Sequence, residues 1–213
     1  MGRGAYDILT IVSMLLPERI AILTLVFLWA GQIALEIWGR FLAQRISTKR
    51  WLFGIAGVSL AAIFATASWW SYLQYRYWAS NEFTKAFLPP HQSIWYFIDR
   101  IIVREMVGPW VVALAAAALG FFALQYLNRR HGELFFEREE YLLFAIGIFF
   151  SGYPGFLIYV IFMMLGGLIL TITYTSLRWG RAPLMNLWLP IAIFGILVRY
   201  WYVPQALLSQ FRF

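Results

Sequence analysis

Apolar residues run through this chain in long blocks rather than in strict alternation, and short charged or glycine- and proline-bearing breaks separate them. The first block, from about Ile20 to Trp38, continues as helix towards Gln44. Pro17, which lacks a backbone donor, sets it off from an apolar prelude at residues 8 to 16. The second block, Trp51 to Trp70, has tryptophan at both ends, the residue favoured where water meets hydrocarbon. A third, Pro109 to Leu127, contains Ala115 to Ala118 and Gly120, small residues that let helix backbones approach. Tyr141 to Phe150 is too short to span, since ten helical residues reach only about 15 Å. That segment must start earlier, near Glu137, or dip in partway. After the Gly152-Tyr153-Pro154-Gly155 break comes Phe156 to Leu177, where Gly166 and Gly167 form a packing notch. The last block is about Leu187 to Tyr202, with Pro190 in its first turn.

One long polar section, residues 71 to 108, interrupts this series. Its second half, SIWYFIDRIIVREMV, places Ile94, Phe97, Ile98, Ile101 and Ile102 on one face and Asp99, Arg100 and Arg104 elsewhere. That spacing predicts an amphipathic helix lying in the membrane interface, with Ser93 as N-cap and Pro89-Pro90 breaking the chain before it.

Several blocks approach the roughly 20 apolar residues that a helix needs to cross hydrocarbon. The expected fold is therefore all-α, a polytopic membrane bundle of about six transmembrane helices plus the interfacial helix, forming one integral membrane domain over residues 1–213. Unbroken apolar runs argue against a membrane β-barrel, which alternates. Composition adds weight: 62% hydrophobic, 20% aromatic and 13% charged residues are far too apolar for a soluble domain of 213 residues.

The net charge of +7 would also fit an RNA binder, but the arginines stand singly or in pairs at block ends, as membrane anchors do. The expected partner is the lipid bilayer and not nucleic acid. With no cysteine, disulfides, thiolate metal sites and iron–sulfur clusters are excluded; His91 and His131 lie in separate predicted loops, so no cofactor or metal is expected. Pro17, Glu18 and Arg19 interrupt the N-terminal apolar stretch and no small-residue cleavage site follows, so it reads as mature protein rather than a signal peptide. Nine of the 17 lysines and arginines (Arg40, Arg45, Lys49, Arg50, Arg129, Arg130, Arg138, Arg178 and Arg181) fall in three short loops on one side, which predicts that side to be cytoplasmic in an inner (plasma) membrane.

The chemistry in question is carboxylate chemistry. Glu36 stands near the end of the first block, and Glu137, Glu139 and Glu140, with Arg138 among them, open the fourth. An ionised group beside hydrocarbon is costly, so such acids reach water, pair with a base, or belong to a site. The alternation of spans puts Glu36 and Glu139 at the same membrane face. Each also has an ordinary explanation: Glu36 can pair with Arg40 four residues on, and acids at a helix start complement its dipole.

In order and proportion, NRRHGELFFEREEYLLFAIGIFFSGYPGFLIYVIFMMLGGLILTITYTSLRWGRAPLMNLWLPIAIFGIL resembles the C-terminal half of the type IV prepilin and preflagellin peptidases, which are intramembrane aspartyl endopeptidases. LEIWGRFLAQRISTKRWLFGIAG is similar to the segment bearing that family's first aspartate, with Glu36 at its position and Ile46-Ser47 where Ile-Pro is usual. The similarity covers about residues 22 to 70 and 110 to 200. The family's G-x-G-D motif is not preserved: Phe136, Glu137 and Arg138 replace the glycine region, and Glu139 or, one register on, Glu140 replaces the aspartate. The resemblance implies catalytic positions Glu36 and Glu139, and prepilin-type transmembrane helices as partners. Glutamates in place of aspartates, and the lost glycines, imply weak or absent endopeptidase activity. The alternative is a non-enzymatic multi-pass subunit that packs against other membrane subunits in a secretion, pilus or respiratory assembly.

Overall fold

A computed structural model describes residues 16–42, 48–132, 136, 138–177 and 184–202, with the side chains of 16, 17, 35–42, 48–51, 138, 139, 185 and 200–202 left out. The described residues form helices and no strand. They are α1 (Leu16–Leu42), α2 (Thr48–Ser80), the short α3 (Glu82–Lys85), α4 (Ile94–Phe97) running on as a π-helix (Ile98–Val107), α5 (Gly108–Arg130), α6 (Arg138–Ser151), α7 (Gly155–Ser176) and α8 (Trp188–Tyr202), the last preceded by a 3₁₀ turn at Leu184–Asn186.

Among the described residues, three helices are long and apolar enough to cross a membrane, against the six expected: Leu52–Ser80, Ile94–Arg130 and Gly155–Ser176. Only 17% of each apolar window is buried within the protein, an exposure of apolar surface that suits hydrocarbon better than water. On α7, Leu157, Ile161, Met164, Leu165, Leu168, Ile169 and Ile172 are all exposed and follow one helical stripe. Two further apolar helices, α6 and α8, are shorter. α6 has 14 residues, about 21 Å of helix, and begins at Arg138, ahead of its apolar run as the sequence required.

The pairs α1–α2, α5–α6 and α7–α8 run antiparallel. Thr24 on α1 donates to Ser59 on α2 at 2.9 Å. Along the α5–α6 pair, Trp110 meets Phe149 and Asn128 meets Tyr141. Across α7 and α8, Phe162 meets Phe194 with ring centroids 5.2 Å apart. The small residues mark the closest approaches. A Cβ on Gly120 would lie 2.9 Å from Ile148 and 3.0 Å from Phe144, and the fully buried Ala113 and Ala117 continue that stripe; Ala115 and Ala118 face outward. Gly166 meets Ile191 of α8, where a Cβ would stand 3.1 Å away, whereas Gly167 has only ordinary van der Waals space beside Leu184.

The polar section departs from the sequence reading at both ends. α2 does not stop at Trp70 but continues to Ser80, because Ser71 is buried against Met106 and Trp78 packs on Phe97. The amphipathic helix is capped by Ser93 and buries Phe97 and Ile101 as its periodicity demands, yet it runs unbroken into α5. The π-helical stretch makes this possible: Gly108 donates five residues back to Val103, and a side chain at 108 would overlap that carbonyl. Pro109 then falls in the first turn of α5, where a missing donor is harmless. Of the apolar prelude at residues 8 to 16, residues 8 to 15 lie outside the described residues, and Leu16 opens α1.

Candidate functional site

Antiparallel packing brings the C-terminal part of α1, the α5–α6 connection and the start of α8 to one end of the bundle. On α1, Gln32 is 4% exposed and donates through Nε2 to Asn186 Oδ1 at 2.8 Å, tying α1 to the turn before α8. Asn128 sits in the last turn of α5 and has no exposed surface. Its Nδ2 donates to the Phe136 carbonyl at 2.8 Å, and its Oδ1 accepts from the Phe136 N–H at 3.0 Å. The same amide nitrogen donates to the buried Tyr141 hydroxyl. One side chain thus satisfies a backbone donor, a backbone acceptor and a phenol where water is scarce, which such groups need.

The Phe136 ring lies on Trp188 at 6.2 Å, Trp188 meets Phe144 edge-on at 5.2 Å, and Phe144 meets Tyr159 at 5.9 Å. These rings form a column from the end of the bundle into its core. The Tyr159 hydroxyl and the Trp188 indole nitrogen are buried and find no hydrogen-bond partner among the described residues.

α1 continues past Gln32 through Glu36, and α6 opens with Arg138, Glu139 and Glu140, so the helices carry both acids of the expected pair to the same end. The side chains of Glu36 and Glu139 lie outside the described residues, as does Glu137 altogether. Glu140, the alternative register, is 4% exposed and engaged with its surroundings. A buried carboxylate at a helix mouth requires compensation, because desolvating the charge costs several kcal/mol in general.

The opposite end carries a second polar contact that the sequence did not signal. Arg199 on α8 pairs with Glu18 in the first turn of α1 at 3.4 Å, both about one-fifth exposed. The arginine also covers the α6–α7 turn, where a Cβ on Gly155 would lie 3.3 Å from its Cδ. In that turn Gly152 has φ +62°, the left-handed conformation that ends α6. Asn128, Gln32 and Asn186 also escaped the sequence reading: Gln32 is a lone amide inside the first apolar block, and Asn128 and Asn186 flank the ends of others without a pattern of their own. No family model matches the chain, and neither a curated protein nor a solved structure matches it.

Proposed function

We propose that this chain is a six-span protein of a cell's inner (plasma) membrane, a divergent relative of the prepilin peptidases that binds prepilin-type helices at its carboxylate end and cleaves them weakly or not at all. The observation that carries this reading is Glu140, a buried carboxylate at the mouth of α6, at the end to which α1 delivers Glu36. Two adjacent carboxylates that share one proton can hold and activate a water molecule. Glutamates are one methylene longer than aspartates, and catalysis tolerates displacements of only about 1 Å. Phe136 further crowds that end: its backbone is tied at both polar atoms where the family's motif carries glycine.

The test is reconstitution with prepilin-type signal peptides, measuring binding and cleavage for the parent and for Glu36→Gln, Glu139→Gln and Glu140→Gln. Retained binding with little cleavage is expected. Robust cleavage abolished by a glutamine substitution would establish an active peptidase instead. Neither binding nor cleavage would leave the non-enzymatic subunit as the reading. For topology, the cysteine-free chain permits a single Ser47→Cys reporter, which should be shielded from an impermeant thiol reagent in intact cells.

A further inference from the structure

We propose that the groove between the outer part of α2 and the amphipathic helix is a phospholipid site, which takes an acyl chain against Tyr75, Ile98 and Ile102 and the lipid phosphate at Arg76. The inference goes beyond the carboxylate end and owes nothing to the peptidase-like reading; it requires only that the chain sits in a bilayer.

Two clasps hold these helices together. At one the Ser71 hydroxyl meets Met106 Sδ at 3.1 Å, and at the other Trp78 meets Phe97 edge-on. Ser71 and Phe97, one from each clasp, line a groove of about 290 Å³ together with Tyr72, Tyr75, Ile98 and Ile102. The chemistry of the walls selects the occupant. The Ser71 hydroxyl is committed to the Ala67 carbonyl and to Met106, so apart from the phenol tips of the two tyrosines the groove presents hydrocarbon and ring faces. A polar ligand would lose its water there without replacement, whereas a hydrocarbon chain displaces water from apolar walls. The position selects a lipid chain in particular. The apolar block of α2 ends at Trp70, immediately before the groove, and the exposed Trp69, Tyr72, Trp95 and Tyr96 give this section the aromatic character of a membrane interface. Charge supplies the other half of the match. Arg76 follows Tyr75 and stands one turn beyond Tyr72 on the same face of α2; it is exposed and has no ion pair among the described residues. Asp99, the acid next to Ile98, is held by Arg104 at 3.1 Å and does not answer Arg76. A phospholipid satisfies both features at once, with its chain in the groove and its phosphate on a guanidinium suited to bidentate contact.

The experiment reconstitutes the whole chain in phosphatidylcholine vesicles containing a phosphatidylglycerol whose acyl chain carries a diazirine, and maps the crosslinked residues by mass spectrometry. The exposed stripe of α7, from Leu157 to Ile172, reports bulk lipid in the same sample. Labelling at residues 71–75 and 94–102 should exceed that of the stripe, and unlabelled phosphatidylglycerol should compete it away better than diacylglycerol, which has the chains without the phosphate. Arg76→Gln should lower groove labelling about fivefold, the worth of one cation beside an anionic lipid, and Arg76→Lys should retain most of it. Ile98→Trp, which fills the groove, should abolish that labelling and leave α7 unchanged. Labelling no denser in the groove than on α7 would mean surrounding lipid only and overturns the proposal. So does equal competition by diacylglycerol, or full labelling with Arg76→Gln, since either removes the phosphate contact. A groove crosslinked to a second copy of the chain in place of lipid overturns it as well. The competition needs no substitution, so it decides the outcome even where Ile98→Trp does not fold. Prepilin-type peptides are absent from this assay, so failure of the lipid site and failure of the peptidase-like reading are separate results.

Discussion

At the Asn128 end, buried amides bridge breaks in the chain, and the rings beneath them fill space around glycine notches. In the outer section formed by the extended α2 and the amphipathic helix, rings do the holding instead: Phe97 is flanked edge-on by Trp78 at 5.3 Å and Tyr75 at 5.5 Å, and Phe87 stacks on Tyr96 at 5.6 Å. The difference follows from the solvent. Burying apolar area is favourable only when water is the alternative, and a helix in lipid gains nothing by exchanging hydrocarbon for a leucine. The outer section exposes Asp99, Arg100, Arg104 and Glu105, charges that favour water over lipid, so hydrophobic burial can act there, whereas apolar spans need close shape fit and satisfied polar groups.

The largest effect expected from this contrast is at Gly147. A Cβ there would overlap the ring and hydroxyl of Tyr159, which is wholly buried in the main core with Phe144 against its ring and so has little room to yield. Gly147→Leu should therefore cost about 3 kcal/mol or more, as overpacking of a rigid site does. Loss of folded protein in detergent is the expected result; an unchanged melting curve would deny that shape fit governs the spans.

Phe97→Ala tests the other side of the comparison. Its truncation removes the centre of the small cluster with Leu88 and Ile101, a change on the order of 3 kcal/mol for a buried phenylalanine. That cluster is separate from the main core, so the loss should be local. Limited proteolysis should cut between residues 81 and 93 more than tenfold faster, with the bundle's melting temperature nearly unmoved. A matching drop in the melting temperature would join the two regions into one cooperative unit.

How far these features were legible depends on periodicity. The outer helix announced itself because five apolar residues recur at helical spacing and Ser93 precedes them, and its buried face is the predicted one. Its continuity with α5 was hidden, since Gly108-Pro109 reads as a break unless a π-helical turn rearranges the hydrogen bonds. Gly120 and Gly166 were visible as notches, but Gly147 was not, because only the fold reveals that Tyr159 stands opposite. At the carboxylate end the sequence offered the acids and left the register between Glu139 and Glu140 open. Asn128 carried no pattern at all: a single amide becomes meaningful only when a distant backbone is brought to it.

Tyr159→Phe should act with the opposite sign. The hydroxyl is buried in the main core without a partner among the described residues, and a polar group so placed costs roughly 1 kcal/mol or more. Its removal keeps the ring that fills the space beside Gly147 and should raise the melting temperature or leave it level. Destabilisation on the order of 1 kcal/mol would reveal a bound water or another partner at that hydroxyl.

The smallest effect belongs to Asp99. Its carboxylate accepts from Arg104 Nε at 3.1 Å, with 59% and 42% of the two side chains exposed. The pair is five residues apart, a spacing that shares a face in a π-helix but is rotated away in an α-helix. At that exposure, solvent and salt screen the attraction and ordering two long side chains offsets much of what remains, so Asp99→Asn should cost less than about 0.5 kcal/mol. The half-buried Glu18–Arg199 pair lacks that screening, and the same neutralisation at Glu18 should cost more than at Asp99. Thermal melts of both variants at low and high salt check the ordering. A larger loss at Asp99 would mean that the ion pair, and not the aromatic cluster beside it, holds the π-helical turn in place.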